Sequence, residues 1–267
     1  MSVNSSSFET LLPPILTFTR VEGVPAAVKP VWEAMRRHDC RTALSIGREL
    51  LQTTSDTALL IALAVAEMNT GNSSQARMLA NTALQRCPVQ WAGHRVNIEV
   101  LQLEGRHDEA YLYTSMLNVP DGIPTWDEPL SLRDQHLLGA ALAWKVRDWE
   151  GAFQHVSLAY PEGIESIPDD LLDDVFRLTL YLNKADLAAR VARRMIKGRS
   201  IHYADVLLQT FVQQGWIDHA LSLYRTIFNQ SPEDPLLRRR MVGLCIRTGA
   251  IEEARRLSRP GALEIYP

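Results

Sequence analysis

The chain has 267 residues, of which 46% are hydrophobic and 22% charged, with a net charge of −3. This is ample material for a core, which excludes a disordered chain of low hydrophobicity, and it exerts no global pull toward nucleic acid or an anionic membrane. Three cysteines, Cys40, Cys87 and Cys245, stand too far apart for a metal-binding or redox motif or a disulfide framework.

Residues 1–22 come first and form a segment of their own. Phe8, Leu11, Leu12, Ile15, Leu16 and Phe18 make it too apolar for a solvated tail, and Pro13-Pro14 prevents one regular helix. The segment either docks on the rest of the chain or serves as a binding element. Its opening, MSVNSSSFET, lacks the basic and apolar parts of a secretory signal. No apolar run reaches the roughly 20 residues that cross a bilayer. A reduced, cytoplasmic setting is therefore expected.

From residue 23 to 259 a small residue recurs. Ala43, Ala76, Ala110, Ala152, Ala188, Ala220 and Ala254 are separated by 33, 34, 42, 36, 32 and 34 residues. Five residues before them stand His38, Gly71, Gly105, Arg147, Asn183, Gly215 and Gly249. A period near 34 residues predicts a stack of helical hairpins, A then B. The alanine lies early in helix B, where a larger side chain would push helix A away. Five residues earlier the chain reverses, a place that favours glycine at positive φ. The sixth unit is the clearest. Ala204, Leu207, Leu208 and Phe211 line one helix face, Ala220, Leu223, Tyr224 and Ile227 line the next, and Pro232 ends it. Pro88 holds the same offset from Ala76.

Two segments break the period. An insertion near residues 118–131, NVPDGIPTWDEPLS, carries Trp126 among three prolines, and insertions in a solenoid map to loops that can line one face. The second is Tyr160 to Asp170, YPEGIESIPDD. Its acidic residues precede a helix and suit the positive end of the dipole. Residues 260–267 form a tail that leaves the periodicity.

The turn glycine, the small residue and the closing proline resemble the tetratricopeptide (TPR) repeat, in a divergent form that covers nearly the whole chain. The resemblance implies an all-α right-handed solenoid of about seven repeats and a non-catalytic scaffold or adaptor that holds a helical or extended peptide in a concave groove. Counting back from each alanine, as the resemblance implies, places Trp32, Met35, Ile61, Val65, Met68, Leu137, Trp144 and Arg177 on the groove side of helices A. Met and Trp there suit an apolar partner, and residues 1–22 could fill the same groove. The alternative, implied by the same likeness, is a chaperone that shields a secreted or membrane-assembling subunit. The Lys, Asn and Arg of a carboxylate clamp are missing from these positions.

The end of the chain is basic. From Leu187 onward 13 Lys/Arg face 7 Asp/Glu. Arg190, Arg193, Arg194, Arg239 and Arg240 form a candidate patch for an acidic protein or phosphate. RNA binding, as in the similar pentatricopeptide repeats, would need a basic, polar groove throughout, and the apolar first half argues against it. Self-association through an uncapped end is a further expectation. There is no phosphate-binding glycine loop, nucleophile elbow or zinc-protease motif, and His38-Asp39 and His107-Asp108 lie in turns without a supporting cluster. Neither metal nor cofactor is expected.

Overall fold

Each of the seven expected reversals is a left-handed turn. In the computed structural model, which describes residues 24–117 and 131–258, φ is +60° at His38, +88° at Gly71, +74° at Gly105, +61° at Arg147, +53° at Asn183, and +79° at both Gly215 and Gly249. Among the described residues, His38, Arg147 and Asn183 are the only non-glycines with positive φ. At every turn the next residue donates its N–H to a carbonyl five positions back, as Asn72 does to Glu67 and Trp216 to Phe211, both at 2.8 Å. This bond caps the last turn of one helix as the chain enters the next.

The turns join fourteen α-helices among the described residues into seven hairpins. These are α1 (Lys29–Arg36) with α2 (Cys40–Leu50), α3 (Thr57–Asn69) with α4 (Ser73–Arg86), α5 (Trp91–Leu103) with α6 (His107–Met116), and α7 (Leu132–Lys145) with α8 (Trp149–Ala159). Then follow α9 (Leu172–Tyr181) with α10 (Ala185–Ile196), α11 (Ile201–Gln213) with α12 (Ile217–Gln230), and α13 (Pro235–Thr248) with α14 (Ile251–Ser258). All seven recurring alanines are buried at the start of a second helix, six of them completely. Several caps come from local polar side chains. Asp39 accepts the Thr42 N–H at 3.1 Å, Asp148 that of Gly151 at 2.9 Å, and Asp234 those of Leu236 and Leu237. His38-Asp39 is thus a turn followed by a helix cap. Pro232 follows the end of α12, as expected.

The chain divides into two compact units, Met1–Pro161 and Glu162–Pro267. The second irregular segment, Tyr160 to Asp170, marks this division; beyond it two 3-10 turns, Ile164–Ser166 and Asp169–Leu171, lead into α9. Within the first unit each helix packs on its successor, and α1 also meets α3 and α3 meets α5. This is stacking of hairpin on hairpin, a TPR-like solenoid. Its core runs from Val24 to Val100, with a second cluster formed by Trp91, Ile98, Leu101, Ala110, Leu138 and Leu142. Helix α3 is apolar all round, and every residue from Ala58 to Met68 is buried. Its one carboxylate, Glu67, is held by Arg48 at 2.8 Å and by the Asn72 amide at 2.7 Å.

In the second unit, α10 meets α11 and α12, which is again repeat on repeat. Side chains span one period there. Trp216 Nε1 donates to Asn183 Oδ1 at 3.2 Å, and His219 pairs with Asp186 at 2.9 Å. Phe211 packs between Phe176, tilted at 5.7 Å between centroids, and Trp216, edge-on at 5.6 Å. No helix among the described residues is long and apolar enough to cross a membrane.

Candidate functional site

Six of the eight expected groove anchors are interior. Trp32, Met35 and Ile61 are 0% exposed, Val65 1%, Met68 7% and Leu137 8%. The expectation of an open apolar groove at these six positions is corrected: α3 has no face left to a ligand, and Trp32 and Met35 belong to the same core as α3. Trp144 and Arg177 are half-buried. The Trp144 ring meets Trp149 edge-on at 5.3 Å, and the Arg177 guanidinium stands 4.0 Å from the buried Asp174 carboxylate. Trp126 and residues 1–22 lie outside the described residues.

The basic patch is also divided. Arg190, Arg193 and Arg239 are exposed. Arg194 instead straps the irregular segment to α10, donating to the carbonyls of Ile164 and Ile167 and to Asp169 Oδ1 at 2.7 Å. Arg240 is bidentate on the buried Asp205, at 3.2 Å from Oδ1 and 3.4 Å from Oδ2. Tyr224 donates to the same carboxylate, and Gln209 donates to the Tyr224 oxygen at 2.8 Å. Burial, with the Asp205 charge beside it, pushes the Tyr224 phenol far above its usual range.

An open cleft lies elsewhere in the first unit. Between α4, α5 and α6 is a cleft of about 380 Å³, lined by Arg77, Asn81, Asn97, Leu101, Arg106, Glu109, Leu112, Tyr113 and Met116. Leu112 is 60% exposed and Met116 75%, one turn apart on α6. At one end of the cleft Arg106 pairs with Glu104 at 3.0 Å and Glu109 at 2.5 Å, and Arg77 reaches Glu104 at 3.6 Å. These four charges neutralise one another. A hydrogen-bond relay runs through His94, Tyr113, Asn97 and Asn81, the last three of which line the cleft.

The relay has a determined direction. His94 Nε2 lies 2.7 Å from the Pro88 carbonyl, which can only accept, so Nε2 carries the proton. In the neutral imidazole Nδ1 then accepts from the Tyr113 hydroxyl at 2.8 Å. The Tyr113 oxygen is left to accept from Asn97 Nδ2 at 3.4 Å, and the same amide donates to Asn81 Oδ1 at 2.9 Å. Asn97 is 95% buried, and its Oδ1 has no hydrogen-bond partner.

The helix-A count missed this cleft because it asks only about first helices. The signal in the sequence was the pair Leu112 and Met116, two and six residues past Ala110 and therefore off the face that Ala110 buries. A second cluster joins α6, α7 and α8. His136 and His155 face each other at 3.4 Å between Nδ1 atoms, the His155 ring meets Tyr111 edge-on, and Tyr111 donates to Asp148 at 3.1 Å. Burial lowers the pKa of both imidazoles, and for His155 the neighbouring His136 adds to the effect while Asp148 opposes it. Among the described residues no group of three or more His, Cys, Asp or Glu side chains is placed to hold a metal.

No family model and no curated protein matches the chain. Solved structures do. One is a chain in the structure of Naa15/Naa10 bound to HypK-THB, at 14% identity and a TM-score of 0.41, which covers 89% of this chain. This chain spans only 41% of that one. Another is TTC0263, a thermophilic TPR protein in Thermus thermophilus, at 15% identity and a TM-score of 0.30, covering 82% of this chain and 97% of that one. Likeness at this level carries nothing about partner or activity.

Proposed function

We propose that the chain is a non-catalytic scaffold or adaptor that binds a protein partner through its repeat surface, acting in the cytoplasm. The observation that supports this reading is the pair of large apolar side chains, Leu112 and Met116, left exposed on a cleft whose charges are already paired. Exposed apolar surface rimmed by polar groups suits a protein contact, since water gains when it is covered. First-helix positions that remain half-buried, Trp144 in one unit and Arg177 and Gln209 in the other, supply further contact surface. Arg190, Arg193 and Arg239 offer charge that can orient an acidic partner without setting its affinity.

The test is affinity purification of the full chain with quantitative mass spectrometry, alongside the Leu112→Glu/Met116→Glu double variant. The expected result is at least one protein recovered in near-stoichiometric amount and reduced by the double variant. Recovery of one otherwise insoluble client would favour the chaperone form of the reading. Recovery of nothing above an untagged control, with and without crosslinking, would overturn the adaptor reading. Light scattering on the purified chain separates self-association from binding in trans.

A further inference from the structure

We propose that the exposed face of α13 is a docking surface for an acidic, amphipathic helix of a protein partner. This inference rests on the adaptor reading and goes beyond steering by charge, since it names a surface and the chemistry of its occupant. Three observations on α13 lead to it.

The first is a glycine that no neighbour in the fold requires. Among the described residues, glycine stands inside a helix at Gly47, Gly93, Gly139, Gly151 and Gly243. At the first four an added Cβ would come closer than 3.0 Å to a side chain, so each makes room for a neighbour. At Gly243 an added Cβ would meet nothing within 4 Å. Glycine in a helix interior costs stability relative to alanine, and among the described residues no packing offsets that cost. What the bare backbone does allow is close approach from outside, because the separation of two packed helices is set by the side chains at their crossing.

The second is the face on which Gly243 lies. Leu236, Arg239, Gly243, Ile246 and Arg247 are all exposed and recur every three to four residues, with Gly243 in the middle. Leu236 is 37% exposed and Ile246 58%. The opposite side of α13 is already used, with Leu237, Met241, Leu244 and Cys245 buried.

The third is charge. Helix α13 carries four arginines and no acidic residue. Arg238 donates to the Pro232 carbonyl at 3.2 Å, and Arg240 holds Asp205. Arg239 and Arg247 have no ion-pair or hydrogen-bond partner among the described residues. They flank Gly243 and stand about 12 Å apart along the axis, at 1.5 Å per residue.

A helix laid along this face answers both guanidinium groups if it carries carboxylates two turns apart. An apolar side chain between them covers Leu236 and Ile246 beside the bare backbone. A second copy of α13 is a poor occupant, because pairing about Gly243 sets arginine against arginine, and like charges across an interface disfavour it. Residues 259–267 contain one acidic side chain, Glu264, which cannot answer two arginines.

The experiment uses the full chain and, as probe, a display library of single helices randomised on one face. Selected helices are expected to carry Asp or Glu two turns apart with Leu, Ile or Met between them. Their binding is expected to fall at least tenfold for the Arg239→Gln/Arg247→Gln double variant and for Gly243→Leu. Gly243→Leu separates docking from folding. Its side chain enters open space and leucine is the better helix former, so its melting temperature should equal or exceed that of wild type while binding is lost. Helices bound equally well by wild type and both variants would sit elsewhere, overturning this surface and leaving the adaptor reading intact. Selection of no helix, or of helices without paired acids, overturns the surface as well, and the purification experiment above then decides the adaptor reading independently. A wild-type dimer in light scattering that Gly243→Leu dissociates would make a second copy the occupant and overturn the proposal.

Discussion

The Tyr224 hydroxyl donates to Asp205 Oδ1 at 2.5 Å, joining the second helix of one hairpin to the first, while Arg240 of the next hairpin holds the same carboxylate. Asp205 is 6% exposed and Tyr224 fully buried. A carboxylate so placed needs both partners, because each unmet lone pair in the interior is costly. Two adjacent repeats are thereby fastened by one acid.

Removing the hydroxyl should show its weight. Tyr224→Phe keeps the ring and leaves Asp205 short of a donor, a loss of about 1–3 kcal/mol. The wild-type phenol also makes stability pH-dependent. Its folded pKa lies above the ordinary value of 10, so the protonated form is favoured on folding. That contribution is complete below pH 10 and is lost as pH rises above it, since the unfolded tyrosine ionises first. Urea melts between pH 8 and 11 should decline for wild type above pH 10 more steeply than for Tyr224→Phe.

The turns give a paired prediction. His38 and Arg147 hold φ near +60°, where a side chain costs roughly 1–2 kcal/mol relative to the right-handed region. Glycine there removes the strain at the cost of extra chain entropy in the unfolded state. His38→Gly and Arg147→Gly should each raise stability by a few tenths to about 1 kcal/mol, and Gly71→Ala, with φ at +88°, should lower it by about 1 kcal/mol or more. Thermal melts of the three variants should fall on opposite sides of wild type.

These turns were legible before the structure because period, small residue and reversal are all local or nearly so. His38, Arg147 and Asn183 were found by counting, although none is a glycine. The open groove was not legible in the same way. Apolar residues at helical spacing look alike whether they face a neighbour or a ligand, and only TALLIALAVAEMN, apolar on every side, carried the hint that α3 is enclosed. Arg194 read as part of a basic patch because its acceptors at Ile164, Ile167 and Asp169 lie 25 to 30 residues earlier. The cleft was missed because its relay joins second helices of different repeats, through Asn81 and Tyr113, by way of Asn97 on the helix between.

Gln90 supplies a test of burial without compensation. It is completely buried at the start of α5, and neither its Oε1 nor its Nε2 has a hydrogen-bond partner. Gln90→Met keeps the shape and removes the unmet polar groups. It should stabilise the chain by about 1–2 kcal/mol. A denaturant midpoint unchanged or lowered, at constant m value, would count against the packing described for this residue.

The facing pair His136 and His155 should make the first unit sensitive to mild acid. Among the described residues Tyr111 and Asp148 lie beside the pair, and Gly139 on α7 makes room for the His155 ring, which would lie 2.6 Å from a Cβ at that position. Both folded imidazole pKa values lie below the ordinary 6.5, chiefly through burial. Between 6.5 and the lower folded values the unfolded chain binds more protons, so stability falls as pH falls through that window. Two imidazolium rings 3.4 Å apart would repel as well. His155→Gln removes the more buried partner and retains hydrogen bonding. Its melting temperature should change less than that of wild type between pH 7 and pH 5.5, and parallel declines for the two proteins over that range would show that the pair is not the source of the acid sensitivity.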